Sequence, residues 1–467
     1  MMTGESCTHG GFFMQRDLTQ GSVLKSMAAF SLPYLLSTLL QTLYGLADLF
    51  IAGQYGGADI ISAVSIGSQV MHMLTVVIVG LAMGSTVVIS RSVGARDARL
   101  MARAAGNTVT LFLGVAAALT AALLLTVDGV VSVMSTPPEA ARQTRQYLMI
   151  CFAGLPCIVS YNIISAVLRG MGDSRSPMAF VAVACTLNIL LDYIFIGGLG
   201  MAASGAALGT VISQTCSVVF ALLYLRHKRR RQRFDLPMTA ADLRPDRRVI
   251  GKLLRIGLPV ACQDAFIQIS FLLITVIANR RGVDAAAAVG IVEKLISLLF
   301  LVPSALMSTV SALAAQCVGA SLHDRARRVL RYALTICAGY GLCCAALFQL
   351  IPEQALSLFA DEAEVIRQGA AYLRSYVWDC VFAGIHFCFS GFFCAYGLSS
   401  LSFAHNVASM VLVRVPGAYV ASMLYPETLY PMGWASPLGS LLSAVICLGA
   451  YGWLKKKQRR DKKASYI

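Results

Sequence analysis

Residues 27–53 read MAAFSLPYLLSTLLQTLYGLADLFIAG. This run is longer than the roughly 20 apolar residues that carry a helix across a bilayer core. Apart from two tyrosines, Asp48 is its only ionisable side chain. A carboxylate at membrane depth is expensive, and it normally faces a bundle interior and serves an ion or proton pathway.

The rest of the chain shares this character. Of 467 residues, 57% are hydrophobic and 13% charged, with a mean hydropathy of +0.70, against about 25% charged in soluble domains. The apolar runs are long and continuous, so the peptide groups must be satisfied within helices rather than in an alternating barrel. The fold class expected is all-α and polytopic, with twelve transmembrane helices at about 27–53, 60–90, 107–134, 146–168, 177–198, 202–225, 256–279, 285–315, 332–352, 372–396, 404–424 and 435–454. The first run lacks the short core and small-residue cleavage site of a signal peptide.

Lys and Arg are distributed unevenly between the connections. The two termini and the connections that share their side hold 30 of the 38, and the opposite side holds six. The positive-inside bias then places both termini in the cytoplasm of a multi-pass protein in the plasma or inner membrane. The run RHKRRRQRF, residues 226–234, looks like a nucleic-acid patch. A basic loop between two spans serves orientation and attracts anionic headgroups, so the lipid bilayer is expected as its partner and nucleic acid is not.

Short motifs recur at nearly one offset. Leu32-Pro33 returns as Leu258-Pro259, Ala63-Val64 as Ala288-Val289, Val93-Gly94-Ala95 as Val318-Gly319-Ala320, and Gly172-x-Ser174 as Gly397-x-Ser399. A duplicated unit follows. Because each unit has six spans, the two six-helix bundles enter the membrane with the same orientation and are related by a pseudo-two-fold axis along its normal. The organisation expected is a cytoplasmic tail at 1–26, an N-terminal lobe at 27–225, a basic linker at 226–255, a C-terminal lobe at 256–454 and a basic tail at 455–467. Such paired bundles suit alternating access, although they also suit a static pore.

The duplication gives the polar residues an internal control. Asp48 maps to Ile274, Asn188 to Val413 and Asp192 to Gly417, while Asp264, Glu293, Lys294 and Asp379 map to Thr38, Ser68, Gln69 and Gly154. The lobes share a scaffold and differ in chemistry. Asp48 and Asp192 both sit roughly 8 to 9 Å inside the outer ends of their spans, and Thr210 lies at a comparable depth. Asn188 is one turn before Asp192, and Gln41 is two turns before Asp48. Two carboxylates, an amide and a hydroxyl at one level form an oxygen-only set that suits a hard cation, or a proton held between the acids. Helix–helix hydrogen bonding of each acid is the plainer alternative.

With these residues in view, the chain resembles the multidrug and toxic compound extrusion (MATE) family. The resemblance rests on Pro33, Gln41, LADLFIAGQYG, VGARD after span 2, LRGMGDSRSP after span 4, TLNILLDYIFIGGLG in span 5, GAALGTVIS in span 6, GLP in span 7 and QCVGA after span 8. It implies a secondary antiporter that exports amphipathic, cationic drug-like compounds in exchange for inward H⁺ or Na⁺, through two lobes in a V. In the prokaryotic branch resembled most, the cation site lies in the N-terminal lobe, and the matching positions are Asp48, Asn188, Asp192 and Thr210. Gln41, Tyr147 and Asn162 match polar positions lining that lobe, and Pro33 matches the proline at which helix 1 bends. The chain departs from other branches in span 7, where Gln268 falls near an essential acid and Asp264 lies one turn earlier. Asp264, Gln268, Glu293 and Asp379 are candidate cavity residues, with Asp379 and Lys294 placed for an ion pair and Arg414 placed to pair or snorkel.

No catalytic residues, resident metal or cofactor are expected beyond the coupling ion itself, and the partners expected are organic cations, with the chain a monomer. A flippase for a lipid-linked precursor is the alternative function. An intramembrane enzyme ranks below both, because no HExxH, GxSxG or P-loop is present. Most of the fourteen cysteines fall within spans, where they pack as small apolar groups.

Overall fold

The structure is a computed structural model that describes residues 18–230 and 238–464. Parts of the expected N-terminal tail, basic linker and C-terminal tail lie outside the described residues. Spans 1 to 6 are Val23–Tyr55, Ala58–Gly94, Ala98–Leu125, Pro138–Gly170, Arg175–Gly198 and Ala202–Arg230. Spans 7 to 9 are Arg247–Asn279, Val283–Gly319 and His323–Leu350. Span 10 is a bent pair, Ala363–Tyr376 and Asp379–Ala395, meeting at 43°, and Ser399–Leu424 and Tyr430–Lys456 complete the set.

The helices overrun their apolar cores, because hydropathy marks only the hydrocarbon depth while Arg, Lys and Glu prolong a helix into the headgroup zone. Span 6 thus continues to Arg230 and span 7 begins at Arg247, which shortens the expected linker. Span 3 differs the other way. It stops at Leu125, and a separate short helix, Val127–Val133, follows Thr126. The helix of span 1 is unbroken through Pro33, so whatever bend the proline favours is not a break.

Several motifs turn out to be helix punctuation. In VGARD, Arg96 takes a positive φ of 55° and the Asp97 carboxylate accepts from the Leu100 amide, capping span 3. In GDSRSP, Gly172 takes φ 89° and Asp173 accepts from the amides of Arg175 and Ser176 and from the Ser176 hydroxyl, fixing the start of span 5.

The duplication is visible in the backbone. Ser321 repeats the positive φ of Arg96 at 60°, and Gly397 repeats that of Gly172 at 70°. The turn bond from the Asp97 amide to the Ser92 carbonyl recurs as Leu322 to Cys317, and Asp173 to Leu168 recurs as Leu398 to Phe393. All four pairs share the offset of the sequence repeat.

The halves meet along spans 2, 7 and 8. A methyl group on Gly94 would overlap the Gln316 backbone, and one on Gly319 would overlap that of Arg91. Arg91 and Gln316 are themselves repeat equivalents. Arg91 Nε and Nη2 donate to the Ala395 carbonyl at 2.8 and 2.7 Å. Gln316 Nε2 donates to the equivalent carbonyl, Gly170, at 3.3 Å. This is a self-complementary contact on a pseudo-two-fold axis. Gly84 against Gly257 extends it, and Arg325 adds bonds to the carbonyls of Leu18, Gln20 and Gly21. These contacts gather at the end of the bundle from which both termini emerge.

Candidate cation site

Spans 1, 5 and 6 pack side by side and bring Asp48, Asn188, Asp192 and Thr210 together. The Asp48 carboxylate lies beside the side chains of the other three. Asp48 is 2% exposed, Asn188 1% and Asp192 0%. Both Asp192 oxygens, both polar atoms of the Asn188 amide, Asp48 Oδ1 and Thr210 Oγ1 are buried, and none makes a hydrogen bond of ordinary length and angle. Buried polar groups are normally satisfied, so four side chains that converge and leave these atoms unmatched form a site poised for something else. Two carboxylates this close repel unless a proton or a cation lies between them, and the oxygen donors fit a hard cation. Among the described residues no group of three or more His, Cys, Asp and Glu could hold a metal ion.

Two features of this site were not read from the sequence. Immediately after Asp192, residues Tyr193–Gly198 leave the α-helix for a π-helix, a distortion frequent at functional sites. Gly209, one residue before Thr210, lies against the Asp192 carboxylate so closely that a Cβ there would overlap Oδ1. The glycine in GAALGT is therefore the floor of the site.

A polar layer surrounds it. The Tyr147 ring covers Gly67, and its hydroxyl lies 3.1 Å from Ser68 Oγ. Tyr147, Tyr44 and Cys151 lie within electrostatic reach of Asp48. Sequence reasoning passed over Tyr44, although its i,i+4 spacing from Asp48 on span 1 is a usable signal. Asn162 is buried, but its amide donates to the Ile158 carbonyl of its own helix at 2.9 Å. Gln41 and Gln268 are half-buried.

The remaining acids are dispersed through the C-terminal half. Asp264 lies against Gly80 of span 2, across the seam between the halves. Glu293 Oε2 accepts from Thr275 Oγ1 at 3.4 Å, while Oε1 has no partner. Asp379, 1% exposed, shares a small cavity with Arg414 and Ser440. Asp379 and Lys294 do not form the expected ion pair. Lys294 points to the exposed face of its helix, and the cation near Asp379 is Arg414, itself only 7% exposed.

Comparison with known proteins follows the same lines. The MatE family model matches this chain twice, over residues 33–194 and 259–420. The probable multidrug resistance protein YoeA of Bacillus subtilis is 28% identical over 94% of this chain and 95% of its own. The multidrug export protein MepA of Staphylococcus saprophyticus is 24% identical over 81% and 83%. A solved multidrug resistance MATE family transporter of the MOP superfamily, in its outward-facing conformation, superposes with a TM-score of 0.88 at 23% identity, over 97% of this chain and 99% of its own.

Proposed function

Because this chain belongs to the MatE family, we propose that it is a secondary antiporter exporting amphipathic cationic compounds in exchange for inward H⁺ or Na⁺. The observation that carries this reading is the convergence of unpartnered, buried oxygens from Asp48, Asn188, Asp192 and Thr210. The names of its relatives, a multidrug resistance protein and a multidrug export protein, support the class of cargo.

The physical cycle follows from the site and the seam. With the basic connections on the cytoplasmic side, the contacts around Arg91, Gly94, Gln316 and Gly319 close the inner end. A proton or cation arriving from outside bridges Asp48 and Asp192 and removes their mutual repulsion. Spans 1, 5 and 6 then pack more tightly, and Pro33 gives span 1 a weak point in its hydrogen-bond ladder. One charge moving through 100 mV supplies about 2.3 kcal/mol, and no nucleotide is needed. The acids favour cationic cargo over a lipid phosphate.

The test is reconstitution in liposomes with a cationic dye inside and an imposed Na⁺ or H⁺ gradient. Dye efflux should follow one of the gradients and disappear in Asp48→Asn and Asp192→Asn. Equal efflux from wild type and both variants would sink the antiport reading.

A further inference from the structure

The C-terminal half has its own buried charge cluster, built differently from the first. Span 11 is the repeat equivalent of span 5, and it too leaves the α-helix, in a π-helical segment at Met410–Arg414. Where span 5 ends its α-helix on an acid, this segment ends on a cation. Arg414 is buried, donates from Nη2 to the Tyr376 hydroxyl at 2.7 Å, and lies over the Phe271 ring at 4.6 Å from its centroid. Its Nε has no partner, nor does Asp379 Oδ1. The two residues face a common cavity of about 40 Å³ with His386, Asn406, Ser409 and Ser440. That volume admits two or three waters but no drug-sized molecule.

Asp379 also stands in the first turn of the second half of span 10, just after the 43° bend. A helix N-terminus favours a carboxylate there. Asp379 thus has a helix dipole behind it and a guanidinium across the cavity. Glu293 is bonded to Thr275, which also bonds to the carbonyl of Phe271, the residue whose ring lies beneath Arg414.

We infer that Arg414 is a built-in cation that occupies a latent monovalent-cation site at Asp379. The C-terminal half therefore exchanges no ion at Asp379, and exchange belongs to Asp48 and Asp192. This rests on the antiport reading for the location of the working site, but it is tested separately from it. Removing the guanidinium should turn Asp379 into an acid that takes its positive charge, a proton or Na⁺, from solution.

The experiment is labelling of the purified, reconstituted protein with dicyclohexylcarbodiimide, which modifies carboxyls carrying an exchangeable proton in apolar surroundings. Mass spectrometry then reads each acid-bearing peptide separately. In wild type and Arg414→Lys the Asp379 peptide should stay unlabelled. In Arg414→Gln it should label at least about tenfold more, since one full charge facing the carboxylate across this cavity, away from bulk water, is worth at least that factor, and added Na⁺ should slow the reaction. Labelling of Asp379 in wild type at the Arg414→Gln level overturns the inference, as does a folded Arg414→Gln that stays unlabelled there. If Arg414→Gln does not reach the membrane, Arg414→Gln with Glu293→Gln removes the second uncompensated acid and is read at the same peptide. Absence of label at both Asp48 and Asp192 would instead count against the antiport reading.

Discussion

Gly209 and Asp192 are fitted to one another: the hydrogen of the glycine is all that separates the span 6 backbone from an oxygen of the span 5 carboxylate. The contact locks Asp192 into the orientation in which it meets Asp48. A Gly209→Ala chain should insert and fold, because a helical alanine is favoured over glycine by about 1 kcal/mol. Its carboxylate, however, must swing out of the cluster. Gradient-driven dye efflux should fall about tenfold, equivalent to about 1.4 kcal/mol, at unchanged protein level in the membrane. Normal efflux would show that the Asp192 orientation is not used.

The same cluster predicts a conflict between stability and activity. Buried, unpartnered polar atoms cost about 1–3 kcal/mol each, and two neighbouring acids add repulsion. Asp192→Asn should therefore raise the thermal midpoint of the detergent-solubilised protein by a few degrees, while abolishing ion-coupled efflux. A lowered midpoint would indicate that the acids are structural.

At the end of the bundle from which both termini emerge, Arg91 gives two hydrogen bonds where its repeat partner Gln316 gives one. Arg91→Gln makes the seam symmetric and weaker, and Gly94→Leu forces it apart. Both should favour opening at that end. In a background where Cys317, fully buried beside Gln316, is the sole cysteine, its alkylation from the inner side should accelerate several-fold in Arg91→Gln and more in Gly94→Leu. Unchanged alkylation in both would show that this seam does not set the closed state.

The linker offers a pH test outside the membrane. Asp242 accepts from the Thr239 amide at 2.9 Å and the Thr239 hydroxyl at 2.8 Å, and these bonds hold its carboxyl below the ordinary value of 3.8. Because the folded value is depressed, the stabilisation is present above the unfolded value and lost as pH falls through the folded one. The Asp242 carbonyl also accepts from Asn107 on span 3 at 3.2 Å. Hydrogen exchange in Ala240–Leu243 should accelerate as pH falls below about 3.8, after correction for the intrinsic rate. Asp242→Asn should show that acceleration at neutral pH.

How much of this was legible beforehand differs from residue to residue. Pro33 is expected at a bend of span 1, and the helix runs through it without a break, which a proline bend permits. Depth alone places Asp379 beside Lys294. Depth counts residues along a helix but does not fix the face, and the residue that faces Asp379 is Arg414, at the end of the π-helical turn Met410–Arg414 of span 11. Gln41 and Asn162 are expected to line the N-terminal lobe, and Asn162 spends its amide on its own helix.

The sequence by itself determined the membrane class, the span pattern, the repeat at an offset of 225 or 226 residues and the shared depth of Asp48, Asn188, Asp192 and Thr210. These are local or periodic properties, since hydropathy acts over a single helix and depth is a count from its end. Only the tertiary structure decided that Gly209 receives Asp192, that Arg91 and Gln316 form mirrored bonds across the seam, and that Arg414 rather than Lys294 stands near Asp379. Each of those depends on helix rotation and on helices far apart in the chain. Rotation is set by packing between helices and is altered by a single π-turn, which no run of hydropathy records.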